Sequence, residues 1–550
     1  MSERSKNVGR GIVVQGSILA VAGLIARAIG IVRRIPLTNI IGDMGNGYYA
    51  AAYELYAIIL LLSSYSLPLA VSKMVSARVS RGQYKNAARI FKASLMFAVL
   101  SGGIACLFVL IFADFLAGVV MGEIMSATAL RVLAPTLLIV AIMGVFRGYF
   151  QGLGTMTPTA ISQIVEQIFL VIFSLVFANL AFGRGELYGN LMMSDKYGPA
   201  QGAAGATLGC GIGALAGLLF LFGIYFLSRG NMIRAERKDN TRVSESYGTI
   251  FRILLLTVFP VILSSVMYNL CGVIDQGMYN DYMTANGMDD IKSINWGVYS
   301  GKYKVLINLP IALASAMCSA IVPSLTASFA NNDIISARGK VATAIRTTMM
   351  VTIPSAVGLA VLGKPIVDML FSGEIDLAGQ MLFMGTLSVI FYALSTLGNG
   401  ILQGIGKMWV PIINSAIALV VHIFSFWIML HFMKLDIMAV VFSNIIFSAI
   451  MFVLNHLAIR KFIGYKQELI QTFIKPLIVS GVMGLLSFGV YHLFRLFLTV
   501  TPSCIIAIVV AIIVYFVGMI MLRGFAKSEL SRIPVVGKPL VSLLQRFGIM

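Results

Sequence analysis

Phe146-Arg-Gly-Tyr-Phe-Gln-Gly-Leu-Gly-Thr-Met156 recurs 252 residues later as Gly398-Asn-Gly-Ile-Leu-Gln-Gly-Ile-Gly-Lys-Met408. Gly148/Gly400, Gln151/Gln403, Gly152/Gly404, Gly154/Gly406 and Met156/Met408 are identical, and a proline follows each copy, Pro158 and Pro411. At an offset of 251, Ala113–Glu123 and Lys364–Glu374 both end in Gly-Glu, and Ala70–Gly82 corresponds loosely to Ile321–Asp333. Matches that share one spacing predict an internal duplication rather than a chance likeness between glycine-rich helices.

The surroundings of the repeat are apolar. Of 550 residues, 59% are hydrophobic and 11% charged, where a soluble domain carries about 25% charge. That excludes a water-soluble enzyme. A membrane span takes about 20 apolar residues, and the apolar runs predict about fourteen helices. The first six lie near 13–36, 48–71, 90–112, 126–150, 158–182 and 203–227. Six more lie near 251–279, 296–322, 341–363, 379–402, 410–432 and 437–459, and a last pair near 473–495 and 502–523. The polar, basic residues 1–12 and the long apolar run after them are unlike a cleavable signal, so the first span is expected to stay as an anchor.

Six spans, an even number, separate the matched motifs, so the two copies have the same topology. The expected fold is an all-α polytopic membrane protein with two parallel six-helix lobes and two C-terminal helices. Its parts are a cytoplasmic N-terminus (1–12), an N-lobe (13–227), a charged cytoplasmic linker (228–250), a C-lobe (251–459), the last two spans (460–523) and an amphipathic interfacial tail (524–550).

Charge tests this order, because basic residues collect on the cytoplasmic side. With the N-terminus inside, 29 of the 41 basic residues fall in inner segments, six in outer loops and six within spans, while 12 of the 22 acids fall outside. Both termini are therefore expected in the cytoplasm. The net charge of +19 reads as an orientation signal, and no nucleic-acid partner is expected.

Charges inside spans mark function, because each costs about 2.5–3.5 kcal/mol at the bilayer centre. The first span holds Arg27, Arg33 and Arg34 and no acid; the eighth adds Lys302 and Lys304. At 100° per residue Arg27 and Arg34 share a helix face, with Arg33 about 120° away. One reading is a water-filled cationic cavity for an anion such as a phosphate, which the planar guanidinium fork suits. The other has Arg33 and Arg34 snorkelling to the headgroups. Glu54, Glu166 and Asp275 lie in the second, fifth and seventh spans; they read as cation-coupling sites or as charge balance for the arginines. Gly205, Gly209, Gly213 and Gly217 recur every four residues, a spacing that lets a neighbouring helix come close.

No catalytic constellation emerges. Cys106, Cys210, Cys271, Cys318 and Cys504 are scattered through apolar runs, and the four histidines are dispersed. Gly358–Lys364 resembles the start of a phosphate-binding loop, but Pro365 stands where Ser or Thr is required. The expectation is a transporter and not an enzyme, with no metal, nucleotide or other cofactor, driven by Na+, H+ or the membrane potential.

The blocks Arg147-Gly-Tyr-Phe-Gln-Gly152, Pro158-Thr-Ala-Ile-Ser-Gln-Ile-Val-Glu-Gln167 and Ser66-Leu-Pro-Leu-Ala-Val-Ser-Lys-Met-Val75, within a 6+6+2 arrangement, resemble the multidrug/oligosaccharidyl-lipid/polysaccharide exporter superfamily. They are similar to its polysaccharide-transporter branch, which includes stage V sporulation protein B and peptidoglycan-precursor flippases. Ala26-Arg27-Ala-Ile-Gly30-Ile-Val-Arg33 is similar to the first span of lipid II flippases, whose two arginines there are essential; the resemblance implies that role for Arg27 and Arg33. The eighth-span arginine of those proteins has only Lys302 or Lys304 nearby, out of register with Pro310. By the same resemblance, the last two helices line a groove for a polyprenyl tail.

The resemblance implies a flippase of the bacterial plasma membrane that moves an undecaprenyl-diphosphate-linked cell-wall precursor, lipid II first among them, to the outer leaflet by alternating access. It also implies membrane lipids and other cell-wall synthesis proteins as partners. Alternatives are another lipid-linked glycan (capsule, teichuronic acid or O-antigen type), a cation-coupled multidrug exporter, or a non-transporting scaffold for wall synthesis or sporulation. An exporter of cations predicts acids in the cavity, against which the first span argues.

Overall fold

The computed structural model describes residues 2–64, 66–239, 241 and 245–524; the expected interfacial tail falls almost wholly outside them. Every regular element among the described residues is helical, as hydrocarbon demands of a backbone that must satisfy its own hydrogen bonds. In chain order the helices are α1 (Ser2–Ser63), α2 (Leu67–Val79), α3 (Tyr84–Phe115), α4 (Ala127–Gly152), α5 (Thr157–Met192), α6 (Tyr197–Lys238), α7 (Tyr247–Ala285) and α8 (Asp289–Val298). Then come α9 (Lys304–Ala330), α10 (Ile334–Leu370), α11 (Ile375–Gly404), α12 (Trp409–His431), α13 (Ile437–Ile463), α14 (Lys475–Arg495) and α15 (Val500–Met521).

Eleven helical segments among the described residues are long and apolar enough to cross a membrane. One of them holds two expected spans, because α1 folds back on itself. Gly42 sits at φ 69°, a left-handed conformation that glycine adopts without strain. Across it, Arg33 Nη2 donates to the Tyr49 hydroxyl at 3.4 Å, although sixteen residues of straight helix would separate them by about 24 Å. Asn46, fully buried, ties the turn by donating to the Gly42 carbonyl at 2.8 Å. Helices α7 and α9, of 39 and 27 residues, occupy the expected seventh and eighth spans. The eighth is entered through α8 and a π turn at Tyr299–Tyr303, which puts Lys302 in that turn and makes Lys304 the first residue of α9. α6 runs on through the first half of the charged segment to Lys238.

The chain divides into two compact units, residues 1–301 with 430–437, and residues 302–429 with 438–550. Each carries one copy of the glycine-glutamine motif, the first unit also taking in α7 and α8 from the start of the expected C-lobe, and the motif copies match in backbone hydrogen bonds. In the first unit Gly154 N donates to Gln151 O and Thr155 N to Phe150 O; in the second Gly406 N donates to Gln403 O and Lys407 N to Leu402 O. Gly154 and Gly406 both have positive φ, 83° and 77°, the glycine stop that ends a helix. The same identity holds at the other matches. Gly122 and Gly373 both turn left-handed before a glutamate, and Gly82 and Asn332 close the turns after α2 and α9 with paired hydrogen-bond patterns. The repeated glycines are contact surfaces. A Cβ on Gly148 would lie 2.6 Å from the Pro68 carbonyl and one on Gly152 2.6 Å from Val75 Cβ, so α4 seats on α2. In the second unit a Cβ on Gly404 would lie 3.1 Å from Val322 Cγ1 of α9.

Within the first unit, the α6 glycines set the position of α5. Gly205 faces the Phe177 carbonyl, Gly209 the Ser174 backbone, and Gly213 the Glu166 carbonyl at 2.7 Å from a would-be Cβ. This close approach, the packing expected of a four-residue glycine spacing, brings the polar row Ser162, Glu166 and Ser174 of α5 into the interior.

Candidate functional site

The arginines of the first leg of α1 divide by environment. Arg27 is exposed. It stands between Gly23 and Gly30, where a Cβ would lie 3.9 Å from Gln163 Oε1 and 3.4 Å from Gln167 Oε1 respectively. Its helical turn therefore runs beside the polar row of α5. Arg33 is 7% exposed and points into the first unit. Its Nη1 reaches Ser174 Oγ on α5 and its Nη2 the Tyr49 hydroxyl on the second leg of α1, each at 3.4 Å. Both bonds are longer than the usual range. Arg34 places its guanidinium carbon 4.6 Å from the centroid of the Tyr49 ring, in range for a cation–π contact. Tyr49 in turn stacks on Tyr53 with centroids 5.6 Å apart, and Tyr53 leans on Tyr56 at 5.7 Å.

Neither Arg33 nor Arg34 forms an ion pair among the described residues, and the buried Arg33 Nε and Arg34 Nη1 have no hydrogen-bond partner there. Buried charges in proteins are ordinarily paired. Among the described residues these guanidinium donors meet hydroxyls and a π face rather than a carboxylate. The row Tyr49, Tyr53, Tyr56 was legible as an i, i+4, i+7 spacing on one helix face, but its partnership with the arginines depends on the Gly42 turn.

The acids that might have neutralised these arginines are engaged elsewhere. Glu166 Oε2 accepts from Arg147 Nη2 at 2.7 Å, while Arg147 Nε donates to Ser162 Oγ at 3.0 Å. The pair is largely buried, with side-chain exposures of 14% and 19%. Sequence order put Arg147 among the inner-loop cations; α4 instead carries it into the bundle as the counter-charge of Glu166. The carboxylate of Glu54 on the second leg lies against Gly272 of α7, 2.8 Å from a would-be Cβ. Asp275, one turn further along α7, is buried at 2% exposure. In the second unit Lys302 is fully buried and donates to the Glu374 carbonyl at 3.1 Å, in the Gly-Glu turn of the repeat. Next to it, the Tyr303 hydroxyl meets Ser388 Oγ at 3.1 Å. Lys304 is half-buried.

The second unit also holds a cavity of about 540 Å³ between α9, α10, α14 and α15. Leu306, Pro354, Leu359, Met483, Ala511 and Phe516 line it. Its buried tyrosine, Tyr515, spends its hydroxyl on the Met350 carbonyl at 2.7 Å, so the wall presented to an occupant is hydrocarbon.

A model of the family described as polysaccharide biosynthesis protein matches residues 12–329. The chain belongs to that family. Among curated relatives, the lipid II flippase MurJ of Bacillus subtilis (strain 168) is 25% identical over 513 residues, covering 91% of this chain and 92% of that protein. Stage V sporulation protein B of the same organism is 23% identical over 535 residues, covering 95% and 98%. Among solved structures, lipid II flippase MurJ in an inward closed conformation aligns with TM-score 0.66 at 16% identity, over 92% of this chain and 98% of that one. An inward-facing multidrug resistance MATE transporter of the MOP superfamily aligns with TM-score 0.65 at 16% identity, over 80% and 94%. This polysaccharide biosynthesis family member is a multi-pass membrane protein, and the proteins it resembles include a lipid II flippase and a MATE transporter.

The Arg147–Glu166 pair yields a test of charge balance. Arg147→Met strands a buried carboxylate and is expected to destabilise the protein by about 1–3 kcal/mol, less than the figure for fully buried pairs because both side chains keep some exposure. Adding Glu166→Leu should restore part of that loss, a coupling that thermal melts of the two single variants and the double variant in detergent would quantify.

Proposed function

We propose that this protein is a flippase that carries an undecaprenyl-diphosphate-linked cell-wall precursor, lipid II, from the inner to the outer leaflet. The observation that carries the reading is the arginine leg of α1, in which Arg33 and Arg34 lack a carboxylate partner among the described residues while Glu166 is committed to Arg147. In this reading exposed Arg27 makes the first contact with the diphosphate. Arg34, stacked on the Tyr49 ring, and Arg33, bonded to the Tyr49 hydroxyl, supply the field behind it. A diphosphate is costly to bring into hydrocarbon, and fixed guanidinium donors in a low-dielectric site offset that cost.

The apolar cavity of the second unit supports the other half of the substrate: it fits a stretch of prenyl chain alongside α14 and α15. The distribution of basic residues supports an orientation with both termini in the cytoplasm. The duplicated architecture supports alternating access by the two lobes, drawn from 13–227 and 251–459. Glu54 and Asp275, acids buried or half-buried within spans, are the candidates for coupling to Na+ or H+; the membrane potential alone is the other source of drive. A second reading, a different lipid-linked glycan, is favoured by the family's description and by the end-to-end likeness to stage V sporulation protein B.

In cells depleted of their own lipid II flippase, the wild-type protein should restore lipid II exposure at the outer leaflet, and Arg27→Ala at equal abundance should not. Equal restoration by both would remove Arg27 from the site; restoration by neither would favour the second reading. The tail site has its own test. Gly358 lines the cavity and has no atom within 4 Å of a would-be Cβ, so Gly358→Phe starts its side chain in open space and directs it into the cavity. It should slow transport of long-chain substrate while sparing a short-prenyl analogue in reconstituted vesicles.

A further inference from the structure

At the end of the first unit away from its basic turns, the α1 fold-back meets α8 through a reciprocal contact. A Cβ on Gly47 would collide with the Ser293 carbonyl, and a Cβ on Gly297 would collide with the Asp43 carbonyl. Asp43 and Ser293 are 250 residues apart, and so are Gly47 and Gly297. This is the offset of the repeat's Gly82 and Asn332 turns. Residue i of one copy touches residue j of the other and j touches i, the signature of a two-fold contact. Two further contacts extend it. A Cβ on Gly301 would lie 2.8 Å from Asn46 Cγ, and Thr38 Oγ1 donates to the Gly301 carbonyl at 3.3 Å. At its two crossing points, Gly47 and Gly297, the seam is made by backbone against backbone.

Besides Asp43, whose carbonyl seats Gly297, a second ionisable group is built into this seam. Glu123, in the turn between α3 and α4, is 5% exposed, and Ser293 Oγ donates to its Oε2. Glu123 thus holds the residue whose carbonyl seats Gly47. We propose that Glu123 is a proton-binding latch: its neutral carboxyl keeps the α1–α8 seam shut, and its ionisation releases the seam. The charged neighbours are Lys292, Asp289 and Asp290 on α8, Lys196 before α6, and Asp281 on α7 beside Gly122. None of them is a histidine, and Lys292 and Lys196 pair with Asp289 and Asp290 respectively.

The direction follows from linkage. Burial pushes the Glu123 carboxyl above the ordinary carboxylate range, against smaller opposing pulls from Ser293 and Lys292. A group raised in the shut state stabilises that state at low pH, and the stabilisation is lost as pH rises through the raised value. The seam is therefore shut in acid and opens towards alkaline pH. This rests on alternating exposure but on no particular substrate, so it is testable in substrate-free protein and stands or falls apart from the lipid II reading.

Trp296, fully buried on α8 beside Gly297 and packed on Tyr279 and Tyr299, is the reporter. With Trp409 and Trp427 changed to Phe, it is the sole tryptophan of the three in the chain. Acrylamide quenching of the full-length protein in nanodiscs should rise several-fold from acid to alkaline pH. Glu123→Gln should hold quenching low and flat across that range. Gly297→Ala, which cannot close on Asp43, should hold it high and flat. A pH-independent wild type, a Glu123→Gln profile that follows the wild type, or a Gly297→Ala variant shielded like the wild type would each overturn the proposal.

Discussion

Hydrocarbon offers no partner to a polar group, and that constraint decides where each charge, hydroxyl and glycine of this chain sits. Backbone groups satisfy themselves in helices. Side-chain charges must pair or serve the passage of something charged, and both outcomes occur a few turns apart in the first unit. Arg147 and Glu166 neutralise each other against Ser162. Among the described residues, Arg33 and Arg34 have only hydroxyls and a tyrosine face. The contrast gives the second pair its meaning, because a bundle that can balance Arg147 had the means to balance Arg33 as well.

Glycine is the device that makes this arrangement possible. Without Gly209 the Ser174 backbone could not approach α6, and Ser174 would not reach Arg33. Without Gly42 the two legs of α1 would not run side by side, and Tyr49 would lie far from the arginines. The repeated Gly148 and Gly152, and Gly400 and Gly404, do the same between α4 and α2 and between α11 and α9. In lipid, where helices gain nothing by hiding apolar surface from one another, close packing of this kind supplies much of the adhesion.

The spans, the duplication and the basic-residue asymmetry were legible in the sequence because each is a property of a run or a spacing. Gly154 and Gly406 then proved to end their helices with the same hydrogen bonds. Partnerships across helices were not legible. Arg147 read as a loop cation because its distance to Glu166 depends on the α4–α5 turn. Glu123 read as one of many outer acids, since nothing local announces that α8 will cover it. Whether Arg33 would face a cavity or snorkel was open in the sequence; in the structure it reaches Ser174 of α5 and Tyr49 of the second leg of α1, while Arg27 is exposed. The break at Tyr299–Tyr303, which places Lys302 against the Glu374 carbonyl, has no periodic signature either.

The central claim is that the first helix recognises the diphosphate of a prenyl-linked lipid. Native mass spectrometry of the purified protein with lipid II and with undecaprenyl alcohol, for the wild type and Arg27→Ala, tests it most directly. Charge-assisted hydrogen bonds of about 1.5–3 kcal/mol predict that the wild type favours lipid II by about ten-fold or more, and that Arg27→Ala narrows this preference sharply. Equal affinity of the wild type for the alcohol and the diphosphate lipid would contradict the account.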